Sequence, residues 1–164
     1  MNRFVKFILV TGLIAGTLDI IGAFILQYFR SGKISITLLN YIAGGWLGVE
    51  KAMKGGTGAA LLGLLSHYFI ATCFVTFFFL LYPRIKILRF NAIVIGLLYG
   101  LFIDTVMSRI VLPLSALNTH PDFNLTRFLT NSLVVGIAVG VPAAIASRKY
   151  YTPRALSSAP INRK

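Results

Sequence analysis

The sequence predicts an all-α integral membrane protein: a four-helix bundle with both termini cytoplasmic and a short interfacial helix between the first and second spans. Three observations carry this. First, 57% of the 164 residues are hydrophobic and 12% are charged, where a soluble domain carries about 25% charged residues. Second, the mean hydropathy of +0.81 is concentrated in apolar runs, each near or above the ~20 residues that cross ~30 Å of hydrocarbon. Third, the basic residues are divided unequally between the two sides of those runs. Arg3, Lys6, Arg84, Lys86, Arg89, Arg148, Lys149, Arg154, Arg163 and Lys164 fall on one side; Arg30, Lys33, Lys51, Lys54 and Arg127 fall on the other. Positively charged segments stay in the cytoplasm, which places both chain ends there. The net charge of +12 then serves orientation and contact with membrane lipids, not nucleic acid.

The first span is 4–29. Arg3 and Lys6 precede it in the manner of a signal peptide, but the run is too long for an h-region, contains Asp19 and has no small-x-small cleavage site. The connection that follows is broken by Gly44, Gly45, Gly48, Gly55 and Gly56. Its part 34–53 reads as one or two short helices in the interface, with Tyr41 and Trp46 at headgroup level; a re-entrant segment is the alternative. The second span, 58–82, is aromatic-rich, carries His67 and is stopped by Pro83. The third, 91–113, closes at Pro113. The fourth, 125–147, contains Pro142, a candidate kink. Residues 148–164 form a basic, Pro- and Ser-containing tail with the composition of a disordered segment. Spans 1–147 thus make one domain.

Small residues recur along each span at spacings of three and four, which form one stripe at 3.6 residues per turn. Gly12 and Gly16, Gly63, Gly96 and Gly100, and Gly136 and Gly140 lie on these stripes, where a missing side chain lets helices approach closely. GLIAGTLD, ending at Asp19, also resembles GLLYGLFID, ending at Asp104, the pattern of a parallel repeat of a two-helix hairpin.

The same stripes carry polar groups. At 1.5 Å per residue, Asp19 and Asp104 lie about 21–22 Å from the cytoplasmic ends of their spans, His67 about 17 Å, and Asn131 and Ser132 about 10 Å below the opposite end. All fall at a similar level, and Arg109 sits above them. Ionisable groups at this depth are expensive and by default face protein or water. Two readings stay open. In one, Asp19, His67, Asp104, Arg109, Asn131 and Ser132 line an outward-facing polar chamber for a proton, an ion or a small polar solute. In the other they form an internal lock that fixes helix register, each interhelical bond contributing ~0.6–2 kcal/mol. Arg109 is five residues from Asp104 and off its face, so it is expected to meet Asp19 or a lipid headgroup.

Nothing in the chain points to an enzyme, a cofactor or a metal. There is no HExxH, GxSxG, Walker loop or CxxC. Cys73 is alone, which excludes an internal disulfide, and His120 with Asp122 is too small a ligand set for a metal. As partners the reading gives membrane lipids and either a homo-oligomer or a larger membrane complex. In the complex the chain would be an accessory or assembly subunit, docking through an aromatic stripe of Phe74, Phe77 and Phe78.

The stretches SHYFIATCFVTFFFLLYPRIKI and IGLLYGLFIDTVMSRIVLPLSAL, within 66–117, resemble the YagU-like group of small bacterial inner-membrane proteins. The shared features are a histidine early in a span, an aromatic run ending in a Pro-basic turn, and a Gly-rich helix closing on Pro-Leu. The connection before the second span is shorter and differently composed here. The resemblance implies a location in the bacterial inner membrane and transfers no catalytic residue.

Overall fold

A computed structural model describes residues 2–120 and 122–157. The described residues fold into helices joined by short connections, with no strand among them. We number them α1 (Arg3–Ser31), α2 (Thr37–Leu47), α3 (Val49–Lys54), α4 (Gly56–Leu81), α5 (Ala92–Leu114) and α6, which begins at Leu125 and ends at Ser157. Four of these, α1, α4, α5 and α6, are long and apolar enough to cross a bilayer.

Local chemistry sets the helix ends. Asn91 Oδ1 accepts from the backbone N–H groups of Ile93 (2.9 Å) and Val94 (3.3 Å) at the start of α5. Asn124 Oδ1 accepts from Arg127 N (2.9 Å) at the start of α6; both are the side-chain caps that exposed helix N-termini need. Gly32 ends α1 in the left-handed region at φ 70°, a conformation that costs glycine little. After α4, Arg84 donates to the Leu80 carbonyl (2.6 Å) and Arg89 to the Pro83 carbonyl (3.2 Å). The basic turn thereby satisfies backbone oxygens left open where the helix stops.

Two prolines sit next to widened turns: the third span closes at Leu114, one residue past Pro113, as expected, and Pro142 lies inside the fourth. Pro113 and Pro142 each follow a π-helical stretch, Met107–Val111 in α5 and Gly136–Gly140 in α6. Proline lacks an N–H, and its ring crowds the carbonyl four residues back. The widened turn absorbs that conflict: Leu112 N bonds to Met107 O, and Val141 N to Gly136 O. α6 then continues through Pro142 to Ser157, whereas α5 ends at Leu114, one residue beyond Pro113.

Backbone-to-backbone contacts hold the bundle where side chains are missing. A Cβ on Gly100 would fall on the Ser132 carbonyl oxygen and the Gly136 backbone, and one on Gly140 would fall on the Gly96 carbonyl oxygen. Gly96, Gly100, Gly136 and Gly140 therefore make a single α5–α6 crossing. Gly12 and Gly16 give α1 room for Thr72 and the Tyr68 ring of α4. Gly63 receives α2, whose Leu39 carbonyl lies where its side chain would be. Trp46 turns towards α4 and donates from Nε1 to Ser66 Oγ at 3.0 Å.

The core is aromatic and lies towards the end of the bundle that carries Arg3, the α4–α5 turn and the last turns of α6. Phe78 and Phe79 are fully buried there, among Phe4, Phe7, Tyr99 and Tyr150. Edge-on ring contacts join Phe4 to Phe79 and Tyr150, and Phe78 to Tyr99. This corrects two expectations. Phe78 cannot belong to an exposed docking stripe with Phe74 and Phe77; only Phe77 of the three is well exposed. The fourth span also does not give way to a tail at residue 148. It remains helical to Ser157, because Tyr150 is buried in the core and the Tyr151 hydroxyl donates to the Phe79 carbonyl at 3.0 Å. Residues 158–164 of the predicted tail lie outside the described residues. A chain truncated after Arg148 is accordingly expected to lose ~2 kcal/mol through the emptied ring sites, read as a lower melting temperature in lipid nanodiscs. A truncation after Ser157 supplies the reference, and equal stability of the two would contradict this packing.

Candidate functional site: a polar cluster between the long helices

At the opposite end the packing loosens, and the polar residues of the spans gather there. His67 of α4 sits against α1. Its Nε2 lies 2.9 Å from the Gly16 carbonyl oxygen; a carbonyl can only accept, so this nitrogen carries the proton. The same nitrogen is 3.9 Å from Asp19 Oδ2, one helical turn further along α1. On the other side, Ser132 of α6, 2% exposed, donates to Asp104 Oδ2 over 3.4 Å. Both carboxylate contacts are long. Among the described residues neither aspartate has a lysine or arginine within ion-pair distance.

Asp19, His67 and Asp104 line one cavity of about 230 Å³, whose remaining wall is apolar and includes Ile70, Phe74, Ile103 and Met107. A second cavity, about 430 Å³, touches Asp19 and Asp104 from the side of the α1–α2 connection and adds Gln27, Arg30 and Asn131. A third, about 400 Å³, touches Asp104 from under the α5–α6 connection and adds Asn131, Arg109, Asp122 and Arg127. The two aspartates thus stand where an interior space meets two spaces leading to the connections. On the core side, the buried Val75 and Phe78 continue α4 below this level.

The six polar residues singled out in the sequence are therefore distributed unequally. Asp19, His67 and Asp104 share the inner cavity; Ser132 joins through Asp104; Asn131 lines both outer spaces. Arg109 is exposed and lines only the outermost of these, with its guanidinium over the Phe123 ring at 5.8 Å from the centroid. It meets neither Asp19 nor its own helix's carboxylate. The π-helical turn at Met107–Val111 and the aromatic face of Phe123 account for that placement. Arg30 occupies the position foreseen for Arg109: it lines the second cavity and donates to Asn131 Oδ1 at 2.8 Å. A signal for it exists. Residue 30 is eleven after residue 19, which on a helix returns to within about 20° of the same face.

Among the described residues no three of His, Cys, Asp and Glu come together as a metal site would require. No family model, curated protein or solved structure matches the chain.

Proposed function

We propose that this chain is a non-enzymatic membrane protein whose acidic chamber takes up a proton or a small cation from one face of the bilayer. What supports the reading is one observation: two carboxylates from different helices face a common cavity, held by contacts of 3.9 Å and 3.4 Å rather than by short bonds. A structural lock works by satisfying its members fully, since buried polar groups left half-satisfied cost stability. Two anionic groups open to one enclosure are instead neutralised by a cation or proton placed between them. His67, with Nε2 held at the Gly16 carbonyl, adds a third polar side chain to the same cavity wall.

On the distribution of basic residues, we place the chamber's mouth on the outer side and both termini in the cytoplasm. The resemblance of 66–117 to YagU-like proteins favours the bacterial inner membrane. The aromatic core blocks the chamber's other side within one copy, so passage across the membrane would need a homo-oligomer. The accessory-subunit reading loses its docking stripe with Phe78 in the core. Extraction of the protein from its own membrane into nanodiscs and weighing of the particle tests this: one repeated chain supports a self-sufficient carrier, and a stoichiometric foreign chain sinks it. Liposomes loaded with a pH dye test the chemistry. Under an imposed potential, those containing the protein should acidify or bind cation saturably, and behaviour identical to empty liposomes would overturn the proposal.

A further inference from the structure

At the end of the bundle remote from the chamber, a groove of about 440 Å³ runs between α1 and α6. On α1 it is lined by Lys6, Val10 and Ile14, and on α6 by Lys149, Ala146 and Ile145. The spacing places each set on one helical face. The helices run in opposite directions, so both lysines stand at the same end, and beyond them the wall is almost wholly apolar. From Lys6 to Ile14 is eight residues, ~12 Å along the axis, most of one leaflet of a ~30 Å hydrocarbon core. Val10 and Ile14 are 47% and 52% exposed, so the groove lies open along its length to the surrounding lipid.

Among the described residues the charge at this end has no acidic counterpart. The acidic side chains are Asp19, Glu50, Asp104 and Asp122, and all belong to the chamber or to the connections of the far end. Arg84 and Arg89 are occupied with backbone carbonyls, and Arg3 is stacked over the Phe7 and Tyr150 rings at 5.6 Å and 5.7 Å. Lys6 and Lys149 have no ion-pair partner among the described residues.

We propose that this groove is a binding site for an anionic phospholipid of the bilayer, with one acyl chain between α1 and α6 and its phosphate held by Lys6 and Lys149. An apolar groove most of one leaflet long, with two lysines at one end of its wall, matches a lipid in both length and charge. Basic pockets between membrane helices recognise lipid headgroups in this way. The site is independent of the chamber, so its failure and the chamber's are separable.

Native mass spectrometry of the full chain, released from mixed phosphatidylethanolamine–phosphatidylglycerol nanodiscs, tests it. The protein should retain phosphatidylglycerol in preference to phosphatidylethanolamine. Lys6→Gln with Lys149→Gln should weaken that retention ~30-fold, two lysines contributing about 1 kcal/mol each at an anionic surface. Lys86→Gln with Arg89→Gln removes the same charge from the same end and should leave retention nearly unchanged. Ala146→Phe, which fills the groove and keeps both lysines, should also displace the lipid. Equal loss from the two charge pairs, or full retention in Ala146→Phe, would overturn the site and leave only general electrostatic attraction.

Discussion

Gly100→Ala is expected to destabilise the bundle by ~3 kcal/mol, the upper part of the range for overpacked cores. A single methyl at this position meets the Ser132 carbonyl oxygen and the Gly136 backbone. Main chain cannot move aside by changing rotamer, so α5 and α6 must separate along the whole crossing, disturbing Gly96 against Gly140 as well. The loss also reaches the polar cluster, because Asp104 lies one turn beyond Gly100, Ser132 is itself at the contact, and their 3.4 Å bond depends on the same interhelical distance. Gly58→Ala is the contrast. Gly58 has open space around it, and alanine there favours the helix by up to ~1 kcal/mol. Unfolding of both variants in bicelles, followed by circular dichroism, separates the two effects. The glycine pairs have a second meaning in membranes, as dimer faces. Here α5 and α6 fill each other's grooves, so Gly100→Ala should lower stability at any protein concentration. A variant that kept its stability and lost only its oligomeric state would contradict the crossing.

How much of this was legible beforehand depends on which force sets each feature. The spans follow from hydropathy, and their starts were readable to within a few residues: 4, 58, 91 and 125 against Arg3, Gly56, Ala92 and Leu125. The end of α6 was not. Beyond Ser147 the composition turns basic and polar, and nothing in Arg148-Lys149-Tyr150-Tyr151 taken locally says that the rings will find Phe79 and Phe4. That is a tertiary contact between residues about seventy positions and more apart. Depth counting could place Asp19, His67 and Asp104 at one level, because a helix converts sequence distance into height. It could not say which neighbour each would meet. Arg109 stays off Asp104's face, as a five-residue separation implies, and of its two expected partners Asp19 is not the one it meets: its guanidinium lies over the Phe123 ring, on the exposed side of α5. The role of α2 was equally hidden. Gly63 reads as one more small residue on a stripe, and only the packed structure shows that the backbone of Leu39 occupies its place.

Asp19→Asn combined with Asp104→Asn should weaken proton or cation binding by at least ~100-fold while leaving the fold intact. At an effective dielectric of about 20, a unit charge 4 Å from a carboxylate gains ~4 kcal/mol before desolvation is subtracted. Removing both carboxylates from a cavity of about 230 Å³ removes nearly all of that attraction. Asparagine keeps the shape and still offers an oxygen to Ser132, so the packing has little to lose. The 3.9 Å approach of His67 to Asp19 is too long to contribute much as a hydrogen bond, whereas its 2.9 Å bond to the Gly16 carbonyl survives the substitution. Stability should therefore stay level or rise slightly as two like charges leave a low-dielectric space. The two single variants decide between site and lock. If the carboxylates act together on one cation, each alone should abolish most of the binding, and the losses should not add. If they serve to hold helices, each variant should instead lower the unfolding free energy by ~1 kcal/mol, with binding never detectable in the parent. Ser132→Ala completes the test. It removes one of Asp104's hydrogen-bond donors, leaving Asn131, without touching charge, so a binding site should feel it by less than about tenfold, while a lock should feel it nearly as strongly as it feels Asp104→Asn.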